Sequence, residues 1–220
     1  MKTYQDIREG VYDPNIFKAF FLAGGPGSGK SFVAGKTMKG YGLKTVNSDD
    51  AFEALLKKAG MSLKIDITDP KVIATRTRAK EVTKKAQQNY LEGRLGLIID
   101  GTGKDYEKIE KQAAMLRQLG YETHMVFVNT SLETALERNL KRARSVPEDL
   151  VTQSWKDVQS NIGKFQRLFA PNNFFIVDNN VANEDIFNKV SKEIRRTLNR
   201  KVDNHIAKAW IAKELEAKKR

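Results

Sequence analysis

One stretch of the chain has the residue types and the spacing to hold phosphate. Gly24-Gly25-Pro26-Gly27-Ser28-Gly29-Lys30-Ser31 matches the pattern G-x-x-x-x-G-K-[ST]. Glycines let successive backbone N–H groups curve around phosphate oxygens. A helix opening at Gly29-Lys30 turns its positive end toward the same phosphates. Lys30 supplies a mobile positive charge to the β and γ groups, and the Ser31 hydroxyl suits Mg²⁺ ligation. Gly25, Gly27, Ser28, Gly29, Lys30 and Ser31 are therefore the expected phosphate-binding residues.

What lies elsewhere separates the uses of such a loop. Guanine-reading GTPases carry N-K-x-D, which does not occur in this chain; Asp100-Gly101-Thr102-Gly103 mimics their D-x-x-G switch without the base-reading partner. Motor and AAA-type ATPases need an acidic pair after the third strand, and here Asp100 is followed by Gly101. Small phosphotransferases remain. They place a carboxylate after the second strand and an arginine-bearing lid before the fifth. Asn47-Ser48-Asp49-Asp50 supplies the first. Asp49 or Asp50 would face the γ-phosphate across from Lys30 and accept the proton of an attacking hydroxyl. The other could cap the helix that follows. The segment from Glu137 to Pro147 supplies the second part. Arg138 and Arg142 are four apart and share a helix face, where guanidinium groups stabilise charge on a transferring group. The same spacing also suits a solvated basic face. Arg144 and Ser145 then fall in a loop broken by Pro147, suited to closing over a nucleotide.

The scaffold for these residues is written in the apolar pattern. Short runs at Phe17 to Ala23, Leu43 to Val46, Leu97 to Asp100, Thr123 to Val128 and Phe174 to Val177 read as strands. Helical stretches alternate with them, including one from Lys71 to Leu91 that starts at Pro70 with Asp69 as its cap. Strands buried on both faces and joined by helices pair in parallel with right-handed crossovers. The expected fold is a doubly wound, five-stranded parallel α/β sheet, a P-loop kinase domain over 1–180. In this class the carboxyl ends of the strands open onto one crevice. Asp100, ending the third strand, is then a second metal-ligand candidate. Asn179 and Asn180, after the fifth strand, are expected to border the base. A basic helical extension is expected over 181–220. Its apolar residues Phe187, Val190, Ile194, Leu198, Val202, Ile206 and Trp210 step slightly longer than a helix turn, so a break near Asn199 to Asn204 would restore register. It reads either as a helix pair packed on the sheet or as an oligomerisation arm.

Composition bounds the rest. The 220 residues are 40% hydrophobic and 30% charged, enough for a core and unlike a disordered chain. Cysteine is absent, which excludes disulfides, thiolate metal sites and cysteine nucleophiles. With only His124 and His205, a histidine-rich metal centre is excluded as well. No apolar run of transmembrane length occurs, and the polar N-terminus argues against a secretory signal. A cytoplasmic protein is expected, in the host cytoplasm if phage-encoded. The net charge of +12 points to an anionic partner or to a lysine-rich solvated surface.

The motifs together resemble the P-loop kinase domain of phage polynucleotide 5′-hydroxyl kinases and, more broadly, the polynucleotide kinase/zeta-toxin group. The likeness spans roughly residues 18 to 165. GGPGSGKS is close to that group's loop, and Asn47-Ser48-Asp49-Asp50 resembles its N-R-D-D element. Ile98-Ile99-Asp100-Gly101-Thr102 resembles the strand-three segment that meets the acceptor. Arg138-Asn139 through Arg142 to Val146-Pro147 resembles the lid. The resemblance implies ATP as donor, Mg²⁺ as cofactor, Asp49 as the base and Arg142 as the phosphate-binding arginine. It implies a hydroxyl acceptor, with a polynucleotide or nucleotide 5′-hydroxyl preferred. A small metabolite such as a nucleotide sugar is the alternative, and a catalytically silent nucleotide-binding assembly protein is another. The chain departs from the group in three places. Phe52 stands where an arginine helps to hold the acceptor, Gly101 is inserted before Thr102, and residues 170–220 have no counterpart. Arg76 and Arg78, on the helix from Lys71, are candidates for acceptor-phosphate contacts.

Overall fold

The computed structural model describes residues 10–13, 15–62, 68–141, 146–169, 171–181 and 183–219. Five strands, β1 (Lys18–Ala23), β2 (Lys44–Val46), β3 (Leu97–Asp100), β4 (Glu122–Asn129) and β5 (Phe174–Asp178), form one sheet in the order β2-β3-β1-β4-β5. Every pairing is parallel. The strands fall on the apolar runs because each central strand is covered on both faces. In β1, Ala19, Phe21 and Ala23 point to one layer while Phe20 and Leu22 point to the other, and all five are buried. β5 is an edge strand, and its Ile176 is accordingly exposed.

Chain order in the sheet decides where the helices go. β1 connects through α1 (Lys30–Thr37) leftward to β2, whereas β2, β3 and β4 each connect rightward. Right-handed crossovers therefore place α1 on one face and α4 (Tyr106–Gln118) and α6 (Glu148–Phe169) on the other. The core clusters agree. Val33 and Met38 pack with Phe20, Leu22, Val126 and Val177 on the first face. Ile109, Ala113, Leu116, Val158 and Phe165 pack with Phe21, Ile99 and Phe127 on the second. The connection between β2 and β3 forms a helical hairpin, α2 (Ser48–Lys58) and α3 (Pro70–Glu92), with its own small core of Phe52, Leu56, Val72 and Ala79. Asp69 caps α3 by accepting from the Lys71 N–H, and Pro70 takes the first turn.

After β5 come α7 (Glu184–Leu198) and α8 (His205–Ala217), with the helix broken between them. Phe187, Val190, Ile194 and Leu198 of α7 are buried in the first-face core beside α1. α8 packs on the opposite layer. Its Trp210 meets Phe17 edge-on at 5.5 Å between ring centroids, and its Ala207 lies against Gly120, where a Cβ would sit 2.9 Å from the Ala207 nitrogen. Both helices of the expected extension thus lie on the sheet. No helix among the described residues is long and apolar enough to cross a membrane.

Candidate active site

The phosphate loop leaves the carboxyl end of β1 and enters α1. Gly27 and Gly29 adopt φ of 79° and 83°, a region L side chains avoid. Close packing also requires glycine. A Cβ on Gly27 would sit 2.1 Å from the Ala135 carbonyl oxygen, and one on Gly29 would sit 2.4 Å from Asn179 Nδ2. Gly29 is the N-cap of α1 and no side chain caps that end, so the first amides of the helix face the loop's hollow. That hollow, about 260 Å³, is lined by Gly25, Gly27, Gly29, Lys30, Ser31 and Arg138 among others. Lys30 Nζ donates to the Gly24 carbonyl at 2.5 Å. Arg138, from α5 (Leu132–Leu140), donates through Nη2 to the Asn180 carbonyl at 3.1 Å. Its Nη1 is buried with no hydrogen-bond partner among the described residues. Ammonium, guanidinium and helix end therefore converge on one space, as an anion requires.

A second hollow of about 370 Å³ opens beside the first, between α3 and α4, with Asp100, Thr102, Lys80, Lys84 and Lys108 among its walls. Asp100 links the two. Burial raises its carboxyl above the ordinary carboxylate value, the Lys30 charge pulls it down, and Asp50 and Asp49 push it up. Asp100 Oδ2 accepts from Asn47 Nδ2 at 2.9 Å, while Oδ1 is buried with no hydrogen-bond partner among the described residues. Asn47 also caps α2, its Oδ1 accepting from the Asp49 N–H at 2.8 Å. One amide thus sets the second- and third-strand carboxylates relative to each other. Asp49 is exposed and lies 3.7 Å from Arg76 Nη2 of α3. The Arg76 guanidinium lies over the Phe52 ring, 5.4 Å from its centroid. Asp50 is raised by partial burial and by the charges of Asp49 and Glu53, against an Asn47 hydrogen bond that lowers it.

A family profile described as "AAA domain" matches residues 20–165, about two thirds of the chain and both hollows. The chain belongs to this AAA-domain family of P-loop kinases. The description carries the AAA name, although the acidic pair expected of AAA-type ATPases is missing after β3, and the curated relatives are kinases. Bovine adenylate kinase isoenzyme 5 is 29% identical over 60% of this chain and 23% of its own length. Porcine adenylate kinase isoenzyme 1 is 25% identical over 58% and 66%. The chain thus spans under a quarter of the first relative and just under two thirds of the second. Solved structures share the fold. A chain of the Pnkp1/Rnl/Hen1 RNA repair complex superposes with a TM-score of 0.54 at 19% identity, over 69% of this chain and 47% of that one. A gluconokinase from Sinorhizobium meliloti gives 0.51 at 16%, over 84% and 95%. The PezAT toxin–antitoxin system of Streptococcus pneumoniae gives 0.54 at 14%, over 83% and 87%.

Within this P-loop kinase fold most of the expected residues meet. Gly25, Gly27, Ser28, Gly29, Lys30, Ser31 and Arg138 surround the first hollow or lie beneath it; Asp100 lines the second, and Asp49 and Asp50 act on it through their charges. Arg142 and the loop residues 143–145 lie outside the described residues. Asn179 and Asn180, expected to border the base, bond to the protein around the phosphate loop. Asn179 is 2% exposed, and its Nδ2 donates to the Ser28 carbonyl at 2.8 Å, which fastens the phosphate loop to β5. Asn180 Oδ1 accepts from the Ser131 N–H at 2.6 Å, and its Nδ2 donates to Asp178. Both side chains are spent on protein contacts because the chain turns directly under the loop after β5.

Three positioning residues had no assigned role in the sequence reading. Asn47 is described above. Asn139, 2% exposed, donates to the Val146 carbonyl and accepts from the Val146 N–H, clasping the two sides of the expected lid. Asn161 of α6 donates to the Gly103 and Lys104 carbonyls at 3.1 and 3.0 Å and holds the turn after β3. Asn161 carried a signal: it sits on the same buried stripe as Val151, Val158 and Phe165, and a polar side chain there must have partners.

Proposed function

We propose that the protein transfers the γ-phosphoryl group of ATP to a hydroxyl acceptor, by preference the 5′-hydroxyl of a polynucleotide or nucleotide. The observation that carries this reading is the pair of hollows: one lined by cationic donors, the other lysine-lined with Asp100 in its wall, where the Lys30 charge acts on it. The loop amides, Lys30 and the open end of α1 would hold the β and γ phosphates, and Arg138 would face the transferring group. The acceptor oxygen attacks phosphorus, the bond to the bridging oxygen of ADP breaks, and Asp49 takes the hydroxyl proton. Mg²⁺ takes one or two protein oxygens and completes its shell with water and phosphate. Ser31 and the unpartnered Asp100 Oδ1 would hold it, directly or through water, and it would neutralise charge on the phosphates.

Transfer of labelled γ-phosphate from ATP should be measured against 5′-hydroxyl oligonucleotides, nucleosides and nucleotide sugars. We expect label on the oligonucleotide or nucleotide. Label on nucleotide sugars alone would move the acceptor to small metabolites. ATP binding without transfer to any acceptor would leave a nucleotide-binding assembly protein.

A further inference from the structure

The second hollow does not end at Asp100. It runs outward between α3 and α4 into a neighbouring hollow of about 630 Å³ that shares Lys84, Gln87, Asp105, Lys108 and Gln112 and adds Lys111 and Glu107. Its walls come from two helices whose polar residues are in step. On α3, Arg76, Lys80 and Lys84 follow at intervals of four and so form one ridge, with successive side chains about 6 Å apart along the axis. Across the cleft stand Lys104 and Lys108. None of Lys80, Lys84, Lys104 and Lys108 is paired with a carboxylate among the described residues. The acids among the wall residues are Asp100 at the inner end, Asp105, which lines both hollows, and Glu107 in the outer one, against the five lysines Lys80, Lys84, Lys104, Lys108 and Lys111. Asp49 and Asp50 stand outside these walls and act on Asp100 through their charges, while Asp105 opens α4 by accepting from the Lys108 N–H.

We propose that this ridge and the lysines opposite form a track for the phosphates of a single-stranded nucleic acid whose 5′-hydroxyl end reaches Asp49. The proposal rests on the kinase reading above and gives its acceptor a site. The excess of lysine over acid in the walls carries the argument. A neutral hydroxyl end is the part of the strand that can come up to the Asp100 carboxyl, and the phosphates behind it fall where cations without a carboxylate partner among the described residues stand. The step along the α3 ridge is of the order of the spacing between successive phosphates in an extended strand, so each cation can meet a different one. After transfer the new terminal phosphate lies beside Asp49, Asp50 and Asp100, and their repulsion favours product release.

The test is binding of a labelled 5′-hydroxyl octanucleotide without ATP, followed by anisotropy over a range of salt. Wild type is compared with Lys84→Ala/Lys108→Ala and with Lys189→Ala/Lys192→Ala, a charge-matched pair on α7. The track pair should weaken binding roughly tenfold and make the logarithmic salt dependence shallower by about 1.4, two phosphates' worth for a single strand. The α7 pair should change neither. Equal effects from both pairs, no effect from either, or no binding by wild type would overturn the track in favour of general surface charge or none. A nucleoside 3′-monophosphate should bind much more weakly than the octamer; equal affinity would reduce the site to one phosphate and overturn the track. A 5′-phosphorylated octamer should bind severalfold more weakly than the 5′-hydroxyl one despite its extra charge; tighter binding would overturn the orientation. Lysine-dependent binding without phosphate transfer would sink the kinase reading and leave the track standing. Transfer indifferent to Lys84 and Lys108 would do the reverse.

Discussion

The two ends of β1 treat charge in opposite ways. At the carboxyl end, Lys30, Arg138 and Asp100 line open hollows. At the amino end, Lys18 is 1% exposed and lies 2.7 Å from Glu122 Oε2 on the neighbouring strand. Arg200, from the break between α7 and α8, approaches the same oxygen at 3.9 Å. Burial alone would raise the Glu122 carboxyl, but the neighbouring His124 and Lys18 and the charge of Arg200 bring it down to about 2. Charges closed on one another hold the sheet together, whereas charges turned into a cavity await a ligand. The comparison predicts that substitutions at the two poles fail differently.

The largest effect is expected at Lys30. Lys30→Ala should weaken ATP binding by about 10²-fold or more, the loss of a charge-assisted contact, and abolish transfer, while the melting temperature stays near wild type. Isothermal titration beside thermal unfolding checks both; unaltered ATP affinity would refute the loop assignment. Asp49→Asn should leave ATP affinity near normal and cut transfer by about 10²-fold or more, the scale of losing a general base. Single-turnover transfer measures it. Full activity would move the role to Asp50 or Asp100.

Glu122→Gln should do the converse. It leaves the buried Lys18 without its counter-charge and should destabilise the fold by about 3 kcal/mol, read from the denaturant midpoint. ATP affinity below that midpoint should not change. If Glu122→Gln weakened ATP binding without lowering stability, the division between the poles would be wrong.

How much of this could be read from residues alone follows the range of the interactions. The strands and the phosphate loop were legible because their signals are local: an apolar run in FKAFFLA, a fixed spacing in GGPGSGKS, a proline and its cap at Asp69-Pro70. The break between α7 and α8 was legible from drifting periodicity. The asparagines that fix the site were not. Asn161 bonds to Gly103, 58 residues away, and Asn179 to Ser28, 151 residues away. A single short amide has no spacing that reveals such a partner. Asn179 shows why: its place after β5 was legible, but its bond to Ser28 was not. The lysine-lined cleft was hidden likewise, because Lys84 and Lys108 face each other only once α3 and α4 are placed.

The smallest effect expected is also the most specific to the closed pole. His124 is 0% exposed, stacks on Phe20 at 4.9 Å between ring centroids, and has Nε2 3.7 Å from Glu122 Oε2. Burial lowers its pKa; Glu122 opposes the shift, and Arg200 and Lys18 add to it. A group whose folded pKa is lowered binds a proton more readily unfolded, so its contribution to stability is complete above the ordinary histidine value near 6.5 and declines as pH falls below it. Glu122 acts in a separate window: its contribution is present above the ordinary value of 4.5 and is lost as pH falls toward about 2. Asp50 and Asp100, with raised values, have the opposite sign. They remain in a variant at position 124, so they cancel in a difference. The melting temperature of wild type minus that of His124→Phe, which keeps a ring on Phe20, should therefore be flat from pH 8 to 7 and fall from pH 6.5 to 5. A flat difference throughout would mean that the amino pole opens enough for His124 to accept a proton without loss of stability, and the contrast between a sealed and an open end of β1 would fail there.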